Sequence, residues 1–293
     1  MYGNKLKVGD IIVVSGFRPC VGASTAAAMI AATLACKGEK TLLLTTDPGQ
    51  PYDAASMLSD DIIDSHLDDM ILLENSNGLN EGNIQDYVTQ VTENLSYCRP
   101  SGKITRMAKD PEMSLNHIMD IACYQYRFVV LDLGYSMTID PMRIYNKANL
   151  VVNVLGQDPK SVNYAKEYYK QDNFGKDKFV VPVIADFHED LPVDDGYYEK
   201  ALKFDCVFAM NHDAAMYAAC QKRDIATFVQ KGMKQRAAAV KSGGGIGRFK
   251  KSKAPDVPVQ DEVTGGNPTV NGYSIVCDKI MGALVHVDEG GET

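Results

Sequence analysis

Residues 11–25 read IIVVSGFRPCVGAST. Ile11–Val14 is an apolar run with no polar break, the pattern of a strand buried on both faces of a parallel sheet. Gly16–Ala23 supplies a loop. Ser24–Lys37, rich in alanine and apolar nearly all round, supplies a helix packed tightly on the sheet. A strand, a glycine-bearing loop and a helix together make an anion cradle, because consecutive backbone N–H groups converge at the positive end of the helix dipole. The loop keeps Val21, Gly22, Ser24 and Thr25, the tail of a phosphate-binding sequence that ends G-K-[ST]. Ala23 stands at the lysine position, and Pro19 and Cys20 stand at the preceding glycine positions.

These replacements bear on chemistry. In an intact loop the lysine reaches the β- and γ-phosphates and the Ser/Thr hydroxyl binds Mg²⁺. Ser24 still offers that hydroxyl, and Gly22 still allows close backbone approach. Pro19 has no N–H, so one donor of the cradle is missing. Ala23 removes a positive charge from where a transferring phosphoryl group gains negative charge, a loss of about 10²–10³ in rate for one preorganised stabiliser. Arg18 could substitute, but a guanidinium fork is not a lysine's point charge. Ser24 has two open roles, Mg²⁺ ligand and helix N-cap. Cys20 lies near a helix N-terminus, where a thiolate is favoured. With no histidine following closely to act as its base, a buried inert thiol is expected.

Composition bounds the rest. The 293 residues are 45% hydrophobic, room for one large α/β domain and a tail or for two small domains. No apolar stretch approaches the roughly 18–20 residues of a membrane-spanning helix. The first ten residues, MYGNKLKVGD, contain no apolar core of a secretory signal. Seven scattered cysteines without a C-x-x-C pair read as reduced thiols of a cytoplasmic protein. The five histidines are isolated in sequence and read as surface or core residues. A net charge of −8 argues against a broad nucleic-acid surface.

Along the chain, strand-like and helix-like segments alternate. Strands are expected at Ile11–Ser15, Thr41–Thr45, Met70–Leu73, Phe128–Leu133, Leu150–Leu155, Phe179–Ala185 and Cys206–Ala209. Helices are expected at Ser24–Cys36, Ser114–Gln125, Ser161–Gln171, Asp213–Gln221 and Asp224–Lys241. This is the signature of a doubly wound, mostly parallel α/β domain. The glycines after Ser242 should end the last of these helices. The sequence therefore divides into a domain over 1–242, a Gly/Lys/Pro-rich linker over 243–272 with the basic cluster RFKKSK, and a short apolar segment over 273–293. That last part is expected to be a flexible arm that binds a protein partner or folds back on its own domain.

Four further segments, in order and spacing with the loop, resemble the MinD/ParA class of deviant Walker A P-loop ATPases over roughly residues 8–240. TLLLTTDPGQ (41–50) is similar to that family's second strand and I-D-x-D-P-Q segment, with Thr45 in place of the first aspartate and Asp47 matching the second. YRFVVLDLGYS (126–136) resembles the Walker B and switch II region, with Asp132 as the carboxylate near Mg²⁺. ANLVVNVLGQDPKSV (148–162) resembles the family's next strand and turn. FDCVFAMNHDAAMYAACQKRDIATF (204–228) resembles the late strand and base-side loop, with Asn211 in the loop, although the family's G-x-P turn is not clear there.

The resemblance implies ATP or ADP with Mg²⁺ as cofactor, or no ligand if the pocket is dead. It implies Asp47 as orienter of the attacking water, and Ser24 and Asp132 at the metal. Arg18, Val21, Gly22, Ala23, Ser24, Thr25 and Asn211 would contact nucleotide, and Arg18 aligns with the lysine that reaches across the family's dimer. Members with decayed Walker motifs serve as hubs of pilus or secretion systems. The implied function is thus a dimeric localisation scaffold, TadZ-like or conjugation-associated, with little or no ATPase activity and a protein partner. A slow, active positioning ATPase and a DNA-partitioning ATPase are the alternatives. Lys231, Lys234, Arg236 and Lys241 on one helix are the basic residues in favour of DNA. MinD-like proteins carry a membrane-docking helix in the place of the C-terminal segment, so peripheral membrane contact is a further alternative. The single basic residue of 274–287, Lys279, opposed by Asp278, weakens it.

Overall fold

The computed structural model describes residues 9–46, 53–59, 66–100, 110–135, 139–170, 179–241, 246–247, 262–263 and 266–289. The strands of its main sheet are β1 (Asp10–Gly16), β2 (Thr41–Thr45), β3 (Thr89–Thr92), β4 (Leu95–Cys98), β5 (Phe128–Gly134), β6 (Leu150–Leu155), β7 (Phe179–Phe187) and β8 (Phe208–Asn211). They lie in the order β3-β4-β2-β5-β1-β6-β7-β8. All neighbours are parallel except β3, which pairs antiparallel with β4 at the edge. The helices are α1 (Ala23–Cys36), α2 (His66–Asn75), α3 (Pro111–Ala122), α4 (Pro141–Tyr145), α5 (Pro159–Tyr169), α6 (Asp195–Leu202), α7 (Ala214–Gln221), α8 (Ile225–Lys241) and α9 (Pro268–Glu289).

The central strands are buried on both faces, as their unbroken Val/Ile/Leu runs require. Alternate residues face two cores. Ile12 and Val14 of β1 join α1, α8 and α9, whereas Ile11 and Val13 join α2 and α3. β1 sits between β5 and β6, so the chain leaves the middle of the sheet in both directions. In an open α/β sheet the ligand crevice lies outside the carboxyl ends of the strands at such a point.

Three expectations need correction. Met70–Leu73 is helix, the middle of α2, and not a strand. Leu67, Met70 and Ile71 are buried at i, i+3 and i+4, and Asp68 and Asp69 occupy the first turn, where the helix dipole favours acids. The short strands β3 and β4 lie where no strand was expected. The third case is the boundary of the C-terminal segment; of its two expected courses, the segment takes the one that folds back on its own domain. α9 begins at Pro268, inside the stretch read as linker, and packs its Val270, Tyr273, Val276, Cys277, Ile280 and Leu284 into the same core as α1. Lys37 donates to Asp278 at 2.7 Å, tying the end of α1 to α9. Gly232 on α8 lets it approach, since a Cβ there would fall 2.6 Å from Val270. The basic cluster at 248–253 lies outside the described residues.

Candidate functional site

The loop after β1 folds back on its own start. A Cβ on Gly16 would stand 2.5 Å from Val21 Cγ2 and 3.2 Å from the Arg18 carbonyl oxygen. Two residues of the loop hold left-handed backbone, Cys20 at φ 61° and Gly22 at φ 86°. Gly22 is the N-cap residue of α1, and its carbonyl accepts from Ala26 N–H at 2.9 Å. Ser24 is therefore inside the first turn and not the cap, and the cap residue, Gly22, has no side chain to accept from the first turn. Val21, Ala23 and Thr25 belong to the same strand-to-helix turn, with Val21 and Ala23 buried in the core. An uncapped helix N-terminus in this position suits an anion. Cys20 is exposed, against the expectation of a buried thiol.

Arg18 turns to the start of α5. Its Nη2 lies 2.5 Å from Asp158 Oδ2, and its Nε donates to Ser161 Oγ at 2.9 Å. Asp158 in turn caps α5 by accepting from the Lys160 and Ser161 N–H groups. Gly156 makes the space, because a Cβ there would meet Arg18 Nη2 and Ser161 Oγ, each at 2.8 Å.

Asp132 stands near the end of β5, 4% exposed, in register with Thr45 of β2. Ser24, Gly134 N–H and Ala54 N–H donate to its carboxylate. Burial pushes the carboxyl up to about 6 against these hydrogen bonds, and the charge of Asp53 adds to the rise. Asp53 is itself buried, accepts from Ser56 N–H at 2.8 Å, and lies 3.4 Å from Arg99 Nη2. Sequence reading missed Asp53, and no local motif distinguishes it. Thr45 Oγ1 is buried with no hydrogen-bond partner among the described residues. Asp47 lies outside them.

Ser24 hydrogen-bonds the Asp132 carboxylate, and Thr45 stands in register with Asp132 on the neighbouring strand; hydroxyl and carboxylate oxygens are the donor types a hard cation such as Mg²⁺ takes. A left-handed turn at a helix N-terminus is a setting in which backbone N–H groups can hold a phosphate. What the loop lacks is cationic: Ala23 brings no charge, and the charge of Arg18 is paired with Asp158.

At the other side of the same sheet edge, β7 and β8 end next to one another. Gly22 connects the two regions, since a Cβ there would come 3.0 Å from that of Ala185. Asn211 closes β8, exposed, and its carbonyl accepts from Thr269 Oγ1 of α9 at 3.3 Å. Asp186, His188 and His212, scattered in sequence, meet here with their ligand atoms within 4.8 Å of one another.

No protein-family profile and no curated protein matches the sequence. Solved structures do match. A ParA family ATPase from Chlorobium tepidum TLS is 14% identical, with TM-score 0.64 over 76% of this chain and 93% of that one. The cell division ATPase MinD of Pyrococcus furiosus is 12% identical, with TM-score 0.63 over 94% of this chain and 99% of that one. The septum site-determining MinD of Pyrococcus horikoshii OT3, solved with Mg-ADP, is 13% identical, with TM-score 0.60 over 74% and 87%. The chain has the MinD/ParA P-loop fold. The likeness to the Pyrococcus furiosus protein spans nearly the whole chain.

Proposed function

We propose that this chain is a degenerate MinD/ParA-type protein, a dimeric localisation or assembly scaffold whose ATP hydrolysis is near background. The observation that carries the reading is the cation deficit of the loop: Ala23 occupies the lysine position, and Arg18 is held by Asp158 and Ser161. The role fits a pilus, secretion or conjugation assembly, with a protein as the partner. Association across the loop face, where Arg18 and Asp132 lie, would then need no nucleotide.

A second reading, a slow ATPase, draws on a specific feature. Ser24, Asp132 and the uncapped start of α1 keep the metal and phosphate half of the chemistry. In that reading Ser24 and Asp132 hold the metal, the backbone at Gly22–Thr25 binds phosphate, Asn211 lies toward the base, and Asp47 orients water. Mg²⁺ would neutralise phosphate charge. Partitioning on DNA draws only on the basic residues of α8, of which Lys231, Lys234 and Lys241 are exposed. Peripheral membrane contact draws on the place of α9, but its buried apolar residues are already engaged by α1 and α8. No helix among the described residues is long and apolar enough to cross a membrane.

Calorimetric titration of ATP and ADP with Mg²⁺, run beside a turnover assay, tests the proposal. We expect weak or absent ATP binding and background turnover, with Ala23→Lys restoring at most part of the binding. Robust Mg²⁺-dependent hydrolysis by the wild type overturns it in favour of the second reading. Salt-sensitive retention on DNA would favour the third.

A further inference from the structure

We propose that Asp186, His188 and His212 form a binding site for a borderline divalent transition metal such as Zn²⁺, at the ends of β7 and β8. The proposal is independent of the proposed function and concerns residues outside the Ser24–Asp132 pair. Two imidazoles and one carboxylate make a mixed N/O donor set, which suits Zn²⁺, Ni²⁺ or Cu²⁺ and not the all-oxygen preference of Mg²⁺ or Ca²⁺.

The spacing fits. Zn–N and Zn–O bonds of about 2.0–2.1 Å place tetrahedral ligand atoms about 3.3 Å apart. Here His212 Nδ1 lies 2.8 Å from Asp186 Oδ1, and His188 Nε2 lies 3.6 Å from Asp186 Oδ2. The two rings stack at 24° with centroids 4.7 Å apart, so both imidazoles stand beside one carboxylate. Because an imidazole lone pair lies in the plane of its ring, holding one ion requires an exposed ring to swing out of this stack, which its exposure permits.

The backbone beneath the ligands is fixed. Asp186 belongs to β7. His212 N–H donates to the Phe187 carbonyl at 2.8 Å, which sets it against the end of that strand. His188 is pinned from both sides by Gln157, whose Oε1 accepts from His188 N–H and whose Nε2 donates to the His188 carbonyl, each at 2.8 Å. The Tyr217 ring flanks His212 at 5.3 Å. Three protein ligands leave a fourth position for water or an external donor, as in zinc sites that bind a further group.

The test is calorimetric titration of Zn²⁺ into untagged, EDTA-treated full chain, with imidazole ¹⁵N shifts of the wild type as a second readout. We expect one equivalent of Zn²⁺ that shifts the His188 and His212 nitrogens. That equivalent should be lost in His188→Ala and His212→Ala. Asp186→Asn, which keeps the shape of the side chain, should bind at least about 10-fold more weakly. Unshifted His188 and His212 nitrogens overturn the proposal, whether or not the variants fold. Zn²⁺ affinity unchanged in the variants also overturns it, and points to the exposed thiols Cys20, Cys36 and Cys206.

Discussion

Asp132 and Asp186 both stand at the carboxyl edge of one sheet, yet Asp132 is 4% exposed while the Asp186 side chain is 38% exposed. Around Asp132 the donors are a hydroxyl and backbone N–H groups, held by the packing of α1 and of residues 53–58. Around Asp186 they are two exposed histidines and the Tyr217 hydroxyl. Depth accounts for the difference. β1, β2 and β5 are interior strands covered on both faces, whereas β8 is the edge of the sheet and β7 its neighbour. Chemistry placed at the interior side is bound to the stability of the core. Chemistry placed at the edge side can change without disturbing it.

The largest effect should come from loosening what holds the buried side in place. α1 carries Ser24 and packs on α9, where Tyr273 is fully buried. Tyr273→Ala is expected to cost about 3–5 kcal/mol in denaturant unfolding, as aromatic-to-alanine changes do in cores. Its hydroxyl has no hydrogen-bond partner among the described residues, so Tyr273→Phe should be neutral or stabilising. A small effect of Tyr273→Ala would detach α9 from the core and favour the other expected course, an arm that binds a protein partner.

The second prediction sets the two aspartates against each other. Burial raises the Asp132 carboxyl from 3.8 to about 6, so the native state holds its proton to a higher pH than the unfolded chain. Between about pH 4 and pH 6 the native state binds more protons, and stability falls as pH rises through that window. The shift corresponds to about 3 kcal/mol of stability present at low pH and lost by pH 7 in metal-free protein. Asp132→Asn should flatten this dependence. Asp186→Asn should leave it in place and alter stability by no more than about 0.5 kcal/mol, as surface changes do. Urea titrations at a series of pH values, in EDTA, distinguish the two. Equal behaviour of the variants would erase the contrast between the two sides.

How much of this was legible in the sequence follows the same division by depth. β2 and β6 were read to the residue, because apolar runs bounded by polar residues leave few alternatives. Met70–Leu73 misled because a four-residue apolar run fits strand and helix alike, and the i, i+3, i+4 spacing emerges only when Leu67 is counted. β3 alternates partly exposed and exposed residues, so no buried face announced it. α9 shows apolar residues at 270, 273, 276, 280 and 284, but its start lies among residues of linker composition, which hid the first turn. The motif singles out Ser24 and Asp132 from distant parts of the sequence, and the fold brings the two side chains into one hydrogen bond. Asp53 and the His188–His212 meeting could not be read, because tertiary packing of separate segments brings each to its partners.

The smallest effect, and the most informative about the loop, concerns Arg18. Its side chain is 38% exposed and Asp158 27%, so solvent screens the pair and Arg18→Ala should cost no more than about 1 kcal/mol. Two roles make different demands on it. If Arg18 only staples the loop to α5, then Asp158→Ala should cost more than Arg18→Ala, because it also removes the N-cap of α5, and the double variant should be no worse than Asp158→Ala alone. If it is the substitute for the lost lysine, Asp158→Ala should free the guanidinium and strengthen any ATP binding, whereas Arg18→Ala should abolish it. A double-mutant cycle read by unfolding, with ATP titrated into each of the four proteins, separates these outcomes. We expect the first, because Asp158, Ser161 and the space left by Gly156 together accommodate the guanidinium where it lies. ATP binding that rises in Asp158→Ala would make the loop a site held shut by an ion pair, and would move the reading toward the slow ATPase.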